Sequence, residues 1–201
     1  MRFDIVVYDG IDELDAVGPF EVLRKAEALG ANVESNLVSP VARDMVTGAC
    51  GLRFQTDDVL RPGAAEVVIV VGGGWATRSD VGAWGEVQRG MLTAQLAEVA
   101  PTASIMAGVC TGTMLLAHAG LLSGRRASTH HAAMADLATA GAVVIDERVV
   151  DDGDVVTCGG VTSGIDLALW LVEREIDRSL ADRIARGLEY KRTRPTTAVE
   201  A

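Results

Sequence analysis

Residues 102–119 read TASIMAGVCTGTMLLAHA, and their order decides the fold. Thr102 to Ala107 reads as a strand leading into the turn. It runs into Gly108-Val109-Cys110-Thr111-Gly112. Apolar residues at helical spacing follow at once through Met114, Leu115 and Ala119, closed by Gly120 and Gly124. A strand delivered into a helix through a glycine-flanked nucleophile is the form of the nucleophile elbow, with Cys in the nucleophile's place. The turn is so tight that the neighbours of the central residue have no room for side chains. The central residue then takes a strained backbone with its side chain exposed at the top of the sheet. The helix start, read at Thr111, aims N–H groups at the sulfur. These are expected to stabilise a thiolate or to receive a developing negative charge.

The same alternation continues outward. Val67 to Val71 (VVIVV) is a continuous β-branched run, as a strand buried on both faces requires, and it ends in Gly72-Gly73-Gly74. Phe3 to Tyr8 reads as the first strand, Asp9 to Asp15 as a polar loop, and Gly18-Pro19 as the opening of a helix that Gly30 ends. Asn32 to Ser39 returns to strand, residues 40–58 read as a hairpin excursion, and a helix is expected over 84–99. A short helix over 131–139, a strand and hairpin over 143–156, and helices over 163–175 and 180–188 follow. The expected fold is α/β: a three-layer sandwich around a mostly parallel, flavodoxin-like sheet carrying the cysteine elbow. One domain spans 1–190, and 191–201 is a polar tail expected to fray. Ligands of such sheets bind beyond the carboxyl ends of the strands. The loops 9–18, 72–78 and 108–112 leave from those ends.

Composition narrows the partners. The formal net charge is −10, the wrong sign for a protein whose main ligand is nucleic acid. Hydrophobic residues make up 49% of the chain, yet no stretch approaches the roughly 20 apolar residues that span a bilayer. The first residues lack the features of a secretory signal. Cys50, Cys110 and Cys158 are widely spaced, with no CxxC or Cys/His zinc pattern. No metal is expected, and the chain reads as cytoplasmic with free thiols.

The sulfur's partner is less directly legible. His118 lies in the elbow helix and reads as packing. Thr129-His130-His131 either reaches the site or caps a helix, with Thr129 as the cap. Asp15 is the stronger candidate, because a carboxyl group beside a thiol can share a proton with it and pass that proton to substrate or water. It can equally serve as an N-terminal helix acid. Gly73 and Gly74 allow close backbone approach and fit an oxyanion nest better than a dinucleotide loop, since the GxGxxG spacing is missing. Cys50 and Cys158 read as structural, although Cys158 stands near a strand end.

Taken together, LDAVGPFEVL (14–23), VVGGG (70–74), GVCTGTMLLAHAGLLSGRRASTHH (108–131) and GGVTSGIDLAL (159–169) resemble the DJ/PfpI superfamily, with the class I glutamine amidotransferase-like fold. Within it, the Cys-Thr-Gly elbow, LDxxGP and RRAxTH look most like the isonitrile hydratases. The resemblance implies a cofactor-free lyase that adds water to an isonitrile to give an N-substituted formamide through a cysteine thioimidate. Cys110 would be the nucleophile, Asp15 the proton carrier and Thr111 its support. Gly73, Gly74 and His130 would line the substrate or oxyanion site. A small-molecule substrate and a homodimer are implied as well. Relatives with protease or deglycase activity carry His after the cysteine, where this chain has Thr111. The amidotransferases' late His-x-Glu is missing too, and His131 replaces an aromatic residue. Related regulators add a helix-turn-helix domain of about a hundred residues in the family pattern, for which the tail has no room. Two alternatives stay open: a non-enzymatic small-molecule or oxidation sensor using the same cysteine, and a glyoxalase- or deglycase-like activity.

Overall fold

The most apolar runs form the middle of one sheet. In the computed structural model, which describes residues 1–195, β1 (Arg2–Val6), β6 (Val67–Val70) and β7 (Ile105–Gly108) lie side by side and parallel. Every residue of β6 and β7 is buried, as the unbroken β-branched patterning requires. β2 (Glu34–Ser39) and β5 (Asp58–Val59) extend the sheet beyond β1, and β11 (Val155–Cys158) extends it beyond β7. Only the edge strand β10 (Val149–Asp151) runs antiparallel, as the return of a hairpin. The order β10-β11-β7-β6-β1-β2-β5 reverses direction between β1 and β6, the switch point at which such sheets hold ligands. Two small pairs stand outside this sheet: β3 (Met45–Thr47) with β4 (Arg53–Gln55), and β8 (Arg126–Ala127) with β9 (Val143–Val144).

Helices cover both faces. α1 (Glu13–Ala28), α6 (Ser163–Glu175) and α7 (Arg178–Gly187) pack together on one side. α2 (Ala83–Arg89), α3 (Met91–Val99) and α4 (Gly112–His118) pack together on the other, and α5 (Met134–Thr139) follows the elbow helix in the chain. The core between the layers is built from Phe3, Ile5, Leu23, Ile69, Leu96 and Leu115, all without solvent exposure.

Three local expectations need correction. Pro19 does not open the first helix: α1 begins at Glu13, so Asp15 sits in its first turn and Pro19 in its interior. Interior proline removes a helical hydrogen bond. Here Gly18 and Pro19 instead form a contact surface, because a Cβ on Gly18 would stand 3.1 Å from Ile165 and one on Gly164 would stand 3.4 Å from Pro19. The helix expected over 84–99 is two, broken at Gly90, whose φ of 74° is left-handed. The start of the polar tail is not frayed. Arg192 is paired with Glu173 and Asp182, Arg194 with the same two acids, and the Thr193 N–H donates to buried Asp166 at 2.6 Å. The rest of the tail, from 196, lies outside the described residues.

Candidate active site

Cys110 has a φ of 55°, the strained left-handed conformation that the elbow demands. Its glycines are there for space. A Cβ on Gly108 would lie 2.6 Å from Thr113 Oγ1, and one on Gly112 would fall on the Val70 carbonyl oxygen. Behind the turn, the Thr129 hydroxyl donates to the Cys110 carbonyl at 2.8 Å. Thr129 is therefore a brace for the elbow rather than a helix cap. The capping atom is the His130 ring nitrogen Nδ1, which accepts from the Ala132 N–H at 3.2 Å.

The exits of three adjacent strands meet at the sulfur. From β1 come Asp12 and Asp15, from β6 come Gly74, Trp75 and Thr77, and from β7 come Cys110 and Thr111. One ligating atom each of Asp12, Asp15 and Cys110 lie within 4.8 Å of one another. Asp15 is fully buried, and its Oδ2 accepts the Gly72 N–H at 3.0 Å. Its Oδ1 is buried without a hydrogen-bond partner, and the Cys110 thiol lies against the carboxyl group as a donor. The glycine triplet thus works differently from a free nest. Gly72 holds Asp15, and the Gly73 N–H is taken by Thr111 Oγ1 at 2.9 Å. Gly74 alone of the three reaches the cavity wall. That cavity, about 220 Å³, is lined by Asp12, Gly74, Trp75, Thr77, Cys110, Thr111 and His130 among others.

Electrostatics reverses one expectation. The Cys110 thiol is not activated by the helix end. Burial, then the neighbouring Asp15 carboxyl, push it up, and only the Thr111 N–H pulls the other way. Beyond the Thr111 N–H the short helix offers little to offset burial, because its first N–H groups are bonded within the turn. Gly112 donates to Val109 at 2.8 Å and Met114 to Thr111 at 3.1 Å. Asp15 is itself held well above the usual carboxylate range, by burial and by Asp12. Two anions in this space oppose each other, so the pair retains a shared proton and titrates as a unit. His130 is shifted down by burial and by His131, whose ring lies 4.1 Å from its own. With Nδ1 accepting, a neutral His130 carries its proton on Nε2.

Cys158 lies fully buried behind the elbow, its thiol against the Cys110 backbone, and Cys50 is exposed beside Glu13. His118 is bonded to the Met114 carbonyl and set against Trp75, away from the sulfur's partners. Asp12, Asp15 and Cys110 are also the one group among the described residues spaced to hold a cation. A metal there would have to displace the proton that Asp15 and Cys110 share.

Two contributors escaped the sequence. Asp12 is the N-cap of α1 and stands three residues before Asp15, the spacing at which cap and third helical residue face each other; that D-x-x-D signal was available. Trp75 is 2% exposed. Its indole N–H donates to Asp136 Oδ2 at 2.7 Å, and Arg78 bonds the same oxygen at 2.9 Å while lying over the Trp84 ring. Nothing in the local sequence points Trp75 at a helix sixty residues away.

Fold and site together define an α/β protein with a cysteine elbow set beside a buried carboxyl group. The chain belongs to the DJ-1/PfpI family, whose model matches residues 1–174. It is 32% identical over 194 residues to the isonitrile hydratase of Pseudomonas putida, covering 94% of this chain and 78% of that one. A Streptomyces lividans protein from the cpoL 5′ region is 38% identical over 138 residues, 68% of this chain and 92% of that protein. Among solved structures, a ThiJ/PfpI family protein from Pseudomonas syringae superposes with a TM-score of 0.84 at 27% identity, over 99% of this chain and 78% of that one. No helix among the described residues is long and apolar enough to cross a membrane.

Proposed function

We propose that this chain is an isonitrile hydratase-like lyase acting through Cys110 and Asp15. The observation that carries the reading is the buried thiol set beside a buried carboxyl group, a pair able to share a proton. An isonitrile carbon accepts a proton and a nucleophile at the same atom, so it needs a sulfur and an acid side by side rather than a preformed thiolate. Cys110 Sγ forms the C–S bond while the pair's proton passes to that carbon, giving R–N=CH–S–Cys110. Water then adds to the carbon as Asp15 takes one of its protons and passes it to the nitrogen, giving R–NH–CH(OH)–S–Cys110, whose hydroxyl holds the last proton. The C–S bond breaks, the carbonyl forms, R–NH–CHO leaves, and the proton returns to the pair. Thr111 directs its N–H at the sulfur and receives the Gly73 N–H, which fixes the elbow against the second turn. Gly74 and His130 line the cavity, and their N–H groups would serve as donors for the polarised nitrogen or oxygen. No cofactor is needed for this sequence of steps.

Similarity to the Pseudomonas putida hydratase supports the reading. An oxidation sensor needs an accessible thiolate, and Cys110 is buried, which favours the hydratase reading. A homodimer in the cytoplasm belongs to the same proposal; it would cover Leu14 and Val17, which α1 leaves exposed.

Purified protein with cyclohexyl isonitrile is expected to release N-cyclohexylformamide. Cys110→Ala is expected to abolish release with the fold intact. Turnover undiminished in that variant, or none in the wild type, would overturn the assignment.

A further inference from the structure

The cavity at Cys110, about 220 Å³, holds the reacting group and a small substituent. A second cavity of about 650 Å³ shares Gly74 and Thr77 with it. It lies between the turn of the β3–β4 hairpin, residues 47–49, and the 77–81 segment. We propose that the N-substituent of the substrate passes Gly74 and Thr77 into this groove, and that the groove takes neutral or cationic polar substituents and turns away anionic ones. The proposal rests on the hydratase reading for the identity of the reacting group.

Both walls are fastened to the site they flank. On the hairpin side, Gly10 donates to the Thr47 carbonyl at 2.8 Å, Thr47 to Asp9 Oδ1 at 2.9 Å, and Ala49 to the Ile11 carbonyl at 2.8 Å. Glu13, from the first turn of α1, accepts the Cys50 N–H at 2.6 Å. On the other side, Ser79 donates to the Gly74 carbonyl at 3.0 Å and Ala83 to the Gly73 carbonyl at 2.8 Å. Gly10 packs directly on the opposite wall, where its Cβ would lie 2.7 Å from the Val81 backbone, and behind it a Cβ on Gly82 would lie 2.8 Å from Gly73 O. The groove is thus preformed, as ligand sites usually are.

Its lining sets the class of substituent. Asp9, Thr47, Thr77 and Ser79 supply carboxylate and hydroxyl oxygens, and no Lys or Arg lines either cavity. Arg43 stands at the groove on Asp9 at 2.7 Å, its charge taken up by that carboxylate, and Arg78 is held by Asp136 at 2.9 Å. With Asp12 at the inner end and Arg43 already balanced by Asp9, an anionic substituent meets a carboxyl group and no unpaired cation among the described lining residues, which is how a site rejects a ligand.

Methyl isocyanoacetate, isocyanoacetate and 2-morpholinoethyl isonitrile differ in charge at the substituent. The neutral ester and the amine are each expected to exceed the carboxylate at least tenfold in kcat/KM, and Ala49→Trp is expected to raise KM for the amine at least fivefold more than for methyl isonitrile. Equal rates for ester and carboxylate, or equal effects of Ala49→Trp on both probes, overturn the groove. A readout free of the hydratase chemistry separates the two claims. Alkylation of Cys110 by iodoacetamide against iodoacetate, each normalised to its rate with glutathione, is expected to favour the neutral reagent. If no isonitrile is turned over, the hydratase reading fails while this ratio still decides the groove, and a ratio of one overturns it.

Discussion

Two glycine-rich turns leave neighbouring parallel strands, and they do opposite things. The turn after β7 sets the Cys110 side chain at the end of the sheet in a left-handed backbone conformation. Its glycines are demanded by the crowding of Gly108 against Thr113 and of Gly112 against Val70. The turn after β6 presents no side chain until Trp75. Its N–H groups hold the other turn's partners, Gly72 on Asp15 and Gly73 on Thr111. The first turn is therefore a mount for the nucleophile, and the second a jig that sets what surrounds it. A glycine run read as a free anion nest is a jig whenever buried side chains of its neighbours can reach its N–H groups first.

Substitutions that attack the mount should cost most. Gly112→Ala puts a methyl group on the Val70 carbonyl, where neither backbone can move without breaking the β6–β7 pairing. Overpacking of this kind costs about 3 kcal/mol, and chemical denaturation is expected to show at least that loss. A change within about 0.5 kcal/mol would mean the two strands are not held as described.

Next in size is the pair itself. Asp15→Asn keeps the shape and an acceptor for Gly72 but removes the proton carrier, and turnover is expected to fall by about 10²–10⁴-fold. Stability should move the other way. The folded-state pKa of Asp15 lies above its unfolded value. Its contribution to stability is therefore fully present below the ordinary carboxylate pKa and is lost as pH rises through the folded value. Asn carries no such penalty. Thermal melting is expected to show the variant gaining more over wild type at mildly alkaline than at mildly acidic pH. A pH-independent difference would mean that Asp15 is not held protonated by its surroundings. Because Asp15 also raises the Cys110 pKa, the midpoint of Cys110 alkylation should shift to lower pH in the same variant.

A smaller effect tests the jig. Thr111→Val leaves the buried Gly73 N–H without its 2.9 Å acceptor, at a cost of about 1–3 kcal/mol, while Thr111→Ser restores it. Equal stability of the Val and Ser variants would show that the Gly73 N–H needs no side-chain acceptor.

The sequence made the mount legible because the mount is local. Strand, glycine, cysteine, glycine and helix are contiguous, and the sheet order follows from runs such as VVIVV. The jig could be located but not interpreted, since its bonds go to Asp15 and Thr111, 57 and 38 residues away. Pro19 was misplaced for a related reason: what makes an interior proline tolerable is the close approach of Gly164 across the α1–α6 contact. The direction of the Cys110 shift depends on a burial and a neighbour that only the folded chain supplies. The helix-end argument was sound in kind but counted N–H groups that the tight turn had already used.

Trp75 marks the far limit of what local reading reaches, and it offers the finest test of the comparison. Its indole walls the catalytic cavity, yet it is held by Asp136 on a helix belonging to neither turn. If the jig ends at Gly74, Trp75 is kept in place by that one charged hydrogen bond and by Arg78, which shares it. Asp136→Ala is then expected to cost about 1 kcal/mol and to raise KM with little change in kcat, because the wall loosens while the Cys110–Asp15 pair does not. In a background with Trp84 and Trp170 replaced by Phe, Trp75 emission should move to the red, and Asp136→Asn, which retains the acceptor, should recover most of both effects. An unmoved emission would place the control of that wall within the glycine turn itself, and the jig would extend one residue further than its hydrogen bonds indicate.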